Sequence, residues 1–63
     1  MTPLERALRE LHRAEERFDD AHAAWVRALE GGYPREMIVN YRHEREVAHA
    51  AVVQARDAVE GLR

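Results

Sequence analysis

Sixty-three residues with no cysteine and a formal net charge of −2 describe one small domain, residues 1–63, that has no disulfide to staple it and no thiolate to hold a metal. A lone core of this size rarely supplies more than ~3–5 kcal/mol, so chains like this lean on a metal, a partner or very regular helix packing. Serine and lysine are absent as well, which removes the usual nucleophilic and Schiff-base residues and makes a non-enzymatic role the expectation.

The opening "MTPLERALRE" lacks the apolar core of a signal peptide. No apolar run approaches the ~18 residues of a membrane span, so a cytoplasmic protein with no membrane partner is expected. "TPLE" is a helix start, with Thr2 as N-cap, Pro3 at the first helical position and Glu5 completing a capping box. Leu4, Leu8, Leu11, Phe18, Trp25 and Leu29 then recur at helical spacing. In heptad terms the d positions are Leu4, Leu11, Phe18 and Trp25, and the a positions are Leu8, Glu15, His22 and Leu29. Ala7, Ala14, Ala21 and Ala28 fill every g position, a flank that suits the close approach of another helix. Gly31-Gly32 offers a left-handed stop.

"YPRE" restarts the chain as a second helix, which the terminating Gly61 ends near residue 60. The elements are therefore two helices, about 3–30 and 34–60, and the short linker makes them antiparallel. The fold class is an all-α, antiparallel two-helix hairpin. Facing residues set Phe18 against the Val47/Ala48 level, Leu8 and Leu11 against Ala55, and Trp25 near Tyr41. Val52 falls within the same second-helix seam. Val47, Ala50 and Val53 lie off that seam, so the middle of the second helix carries more apolar surface than one neighbour can cover. That surplus predicts a homodimeric four-helix bundle, a coiled-coil-like assembly with the middle of the second helix central, or a protein partner seated in an apolar groove. A fully buried Trp25 would cost ~3–5 kcal/mol on truncation to alanine.

The stretch "HEREVAH" holds the Glu-x-x-His spacing of dimetal bundles at Glu46 and His49, with Asp19 the nearest carboxylate on the first helix. A metal-binding bundle is the first alternative, with those three residues as candidates. Glu46 at an outward b position and the neighbouring Arg42 and Arg45 weigh against it. No metal or other cofactor is therefore expected. Ion pairs along the rim, Asp19 to Arg42 or His49 and Glu46 to Arg42, account for the same residues, and Glu5 falls near Arg56. Glu15 and His22 at seam positions instead predict a buried polar network with Glu44 and Arg45 that fixes register. The other use of such a histidine is as a switch near neutral pH.

An RNA-binding hairpin dimer is the second alternative. Arg6, Arg9, Arg13, Arg17 and Arg27 line the outside of the first helix, but they alternate with acids at i+3 and i+4 and no exposed aromatic accompanies them. Nucleic acid is therefore disfavoured.

Overall fold

The structure, a computed structural model describing residues 1–63, contains two α-helices and no strand. Helix α1 spans Pro3–Glu30 and helix α2 spans Arg35–Gly61. Neither is long and apolar enough to cross a membrane.

Local chemistry fixes the helix ends. The Thr2 hydroxyl accepts the Glu5 backbone N–H at 3.1 Å and donates to the Glu5 carboxylate at 3.1 Å, a cap of the kind worth ~1 kcal/mol. At the other end of α1 the Tyr33 N–H reaches back to the Ala28 carbonyl at 3.1 Å, and the Gly32 N–H to Leu29 at 3.4 Å. This is a Schellman turn, and it needs Gly32 at φ +64, where an L side chain is strained. Gly31 answers a different constraint: a Cβ there would lie 2.9 Å from the Tyr33 ring. Pro34 caps α2 from outside the helix, its carbonyl accepting from Met37 and Ile38. Gly61 departs from expectation. It ends the helix without a positive φ, so it terminates α2 through weak propensity and not through a left-handed turn.

The helices pack along their length, but the seam on α1 is turned away from the expected d/a pairing. Its inner face is built from the d and g columns. Leu4, Leu11, Phe18 and Trp25 are half-buried there, and the alanines are more enclosed still, Ala28 at 0% and Ala14 at 8% exposure. The a column lies on the rim: Leu8 and Leu29 are exposed, Glu15 faces water and only His22 is half-buried. The physical reason is in that column itself. Turning it inward would strip water from Glu15 at a cost of several kcal/mol, whereas the alanine column presents nothing to desolvate and lets α2 come close.

On α2 the side facing α1 carries Ile38, Tyr41, Arg45, Ala48, Val52, Ala55 and Val59, all buried or half-buried. Phe18 meets His49 and His22 meets Arg45, so the register runs slightly further along α2 than a turn centred on the linker implies. Of the expected seam residues, Leu11, Phe18, Trp25, Tyr41, Ala48, Val52 and Ala55 line the interface between the helices, and Leu8 does not.

Small side chains at the seam leave a thin core. Only Ala14, Ala28, Val52 and Val59 are buried, and no large side chain is fully enclosed, Trp25 included. The hairpin is a rod 45 Å long with a radius of gyration of 14.4 Å, against the ~11 Å of a compact chain of this length. Its accessible surface is 4987 Å², against about 4,200 Å² for a compact monomer of the same mass.

Because the alanines face the other helix of the same chain, enlarging one should wedge the hairpin itself. Ala28→Leu is expected to lower stability by ~1–3 kcal/mol in urea unfolding, while Ala23→Leu on the exposed face changes it by less than about 0.5 kcal/mol. Equal effects at the two positions would mean the close approach is elsewhere.

Candidate interaction site

Helix α1 lines up three rings on one side. Phe18, His22 and Trp25 follow one another at helical spacing, with ring centroids 5.9 Å apart for Phe18–His22 and 6.0 Å for His22–Trp25. From α2, Arg45 reaches into this ladder. Its Nε–H donates to His22 Nδ1 at 2.9 Å, and its guanidinium carbon lies 5.4 Å from the Phe18 centroid and 5.2 Å from that of Trp25. His49, one turn further along α2, closes the cluster at 5.7 Å from Phe18.

This geometry explains how an arginine sits at a seam position without a carboxylate. Arg45 lays its aliphatic stem on the seam and its cation against two aromatic faces, each such contact worth roughly 0.5–1 kcal/mol. In this hydrogen bond the His22 imidazole is the acceptor, through the Nδ1 lone pair. One group in the cluster is unsatisfied. Trp25 Nε1 is buried with no acceptor, a cost of the order of 1–3 kcal/mol.

The expected four-member polar network is therefore corrected to two members. His22 and Arg45 come together, whereas Glu15 and Glu44 are exposed and no polar or charged residue is buried. Glu15 left the seam with the rest of the a column. Glu44 occupies a g position, on the opposite side of α2 from the e position held by His49. The rim ion pairs are corrected too: the one salt bridge in the hairpin joins His12 to Glu16 at 2.9 Å, within α1, and both side chains are exposed. Asp19, Arg42, Glu46 and Arg56 close none.

The metal candidates separate in the same way. Asp19 and His49 line one groove, Glu46 is exposed and does not line it, and no three His, Asp or Glu side chains converge as a ligand set in the hairpin. The groove shared by Asp19 and His49 has a volume of about 210 Å³ and is walled by Glu15 and Phe18 from α1 and by Val52, Val53 and Arg56 from α2. A second groove, about 430 Å³, runs along the opposite side of the rod. There Glu10, Arg13 and Arg17 stand over the small residues Ala51, Ala55 and Ala58. Both are open troughs between the two helices.

Reading the sequence missed the stacking of Arg45 on Phe18 and Trp25. The signal was present, since both aromatics belong to the d column and flank His22, which the seam pattern groups with Arg45. No protein-family model, characterised protein or solved structure matches the chain.

If the fork and the stacked cation both matter, Arg45→Lys should lower stability by about 1 kcal/mol, because an ammonium has neither the planar fork nor the flat face. A double-mutant cycle pairing Arg45→Met with His22→Phe should return a coupling of ~0.5–1.5 kcal/mol. Additive effects would remove the hydrogen bond from the account.

Proposed function

We propose that this hairpin is a non-enzymatic interaction module that works as a homodimer, two hairpins packing into a four-helix bundle that then receives a protein partner in an apolar groove. The observation that carries this reading is the thin core. A rod in which four alanine and valine residues are the only buried side chains leaves Phe18, Trp25 and Leu11 half-wet and Leu8, Leu29 and Val53 exposed. Its surface exceeds that of a compact monomer by about 800 Å², which is what one partner contributes to a standard stable interface. A second copy is the occupant always present at the right concentration and complementary by symmetry.

The absence of serine, cysteine and lysine, together with troughs that are open along their length, supports a binding role over a catalytic one. The dimetal alternative lacks a converging ligand set in one hairpin and would have to assemble it across two chains. The RNA alternative has its arginines interleaved with acids and has Phe18 and Trp25 engaged by Arg45 between the helices.

Native mass spectrometry of protein purified without chelators is expected to give a metal-free dimer at micromolar concentration. Thermal melting should shift upward with protein concentration, as it does for any fold stabilised by its own association. A monomer whose melting temperature is independent of concentration would overturn the proposal. A dimer carrying stoichiometric metal would replace it with the dimetal reading.

A further inference from the structure

We infer that the second copy docks on the groove between Glu15 and Arg56, related by a two-fold axis that runs along the rod, so that the two linkers lie at the same end and α1 of each copy faces α2 of the other. This rests on the self-association proposed above and specifies its face and symmetry.

The groove side differs from the other side of the rod in two respects. It carries large apolar side chains: Phe18 and Val53 line it, and Leu8 and Leu29, both exposed, extend its α1 wall in the same heptad column as Glu15 and His22. The opposite trough is floored by alanines. The groove side also separates charge by helix. Within the groove the α1 wall presents Glu15 and Asp19 and the α2 wall presents His49 and Arg56; beyond it the same side of α2 carries Arg42 and Glu46. None of the acids and arginines pairs within the hairpin. The opposite trough mixes both signs on a single helix, Glu10 beside Arg13 and Arg17.

Charge separated by helix chooses between the two ways of stacking identical hairpins face to face. A two-fold axis perpendicular to the rod places α1 on α1 and α2 on α2, with the linkers at opposite ends. Acidic wall then meets acidic wall, and with the axis at the level of the groove Arg42 approaches the partner's Arg56. An axis along the rod places α1 on the partner's α2 and preserves the level of every residue. Glu15 then comes opposite the partner's Arg56, because those two levels already share one groove within the hairpin. Asp19 comes opposite the partner's His49 for the same reason. Like charges face to face cost association and opposite charges favour it, so the second arrangement is selected. Leu29 also meets α2 near its start, where Val39 is exposed.

The chain has no cysteine, so Arg35→Cys, at the exposed start of α2, gives a single site for a nitroxide label. Pulsed dipolar electron resonance on the dimer should return a distance below roughly 30 Å, since packed helix axes lie only about 8–10 Å apart. Linkers at opposite ends would instead separate the labels by close to the 45 Å length of the rod, which overturns the inference and leaves the dimer standing. Charge reversal tests the face. Glu15→Arg and Arg56→Glu should each weaken the dimer by about tenfold, and the double variant should recover to within about threefold of the parent, each checked for helix content by circular dichroism. Val47→Arg, on the far side of α2, should leave the dissociation constant within about twofold. A double reversal that fails to recover, or a dimer abolished by Val47→Arg, would place the interface elsewhere. A monomer at all concentrations would remove self-association itself, and this inference with it.

Discussion

The alanine column of α1 is the constraint on which the rest of the structure depends. Because Ala7, Ala14, Ala21 and Ala28 occupy one face at every seventh residue, α2 can lie against that face at short range. Packing of this kind is dense but shallow. It encloses methyl groups and two valines, and it leaves the bulky d-column side chains straddling the boundary with water. A seam built instead on Leu8 and Leu29 would have enclosed more apolar surface. It would also have carried Glu15 inward, where desolvating an unpaired carboxylate costs several kcal/mol and offsets that gain, and it would have given up the close approach that the alanines allow.

From that choice of seam follows the position of the arginine. With the alanine side occupied, the d-column aromatics and His22 form the edge of the interface, and Arg45 lies across them. A cation at this edge is satisfied by ring faces and one imidazole lone pair, while the rest of the guanidinium stays near water. The cluster ties the two helices together at mid-length, where neither the linker nor the helix caps constrain them. It also fixes their register, since a slip of one residue would carry Arg45 away from His22.

The two sides of the rod are chemically unlike. One trough has aromatic and aliphatic walls with acids on one helix and bases on the other. The other has an alanine floor under charges of both signs. Since the hairpin closes a single salt bridge, within α1, most of its charges remain available to a second molecule. Electrostatic pattern of this sort gives orientation more than affinity. The affinity of any complex must come from the half-exposed rings and aliphatic side chains beside it.

The hairpin itself was legible in the sequence. Thr2-Pro3 with Glu5, the Gly31-Gly32 stop and the long helical periodicities are local signals, set by backbone geometry within a few residues, and they fixed both helices, the antiparallel turn and the side of α2 that faces inward. The sequence also grouped His22 with Arg45 in one polar network. Tertiary structure alone decided which two columns of α1 form the seam. The d column is flanked by a on one side and g on the other, and both lie within ~50° of it, so periodicity permits either pairing. The decision compares the desolvation of Glu15 with the close approach of alanine, and that comparison exists only once a second helix is present. The same applies to the polar cluster and the rim. Glu44 and Glu15 had partners by spacing, but side-chain direction about the final seam turned them to water and left Arg45 to the rings of Phe18 and Trp25.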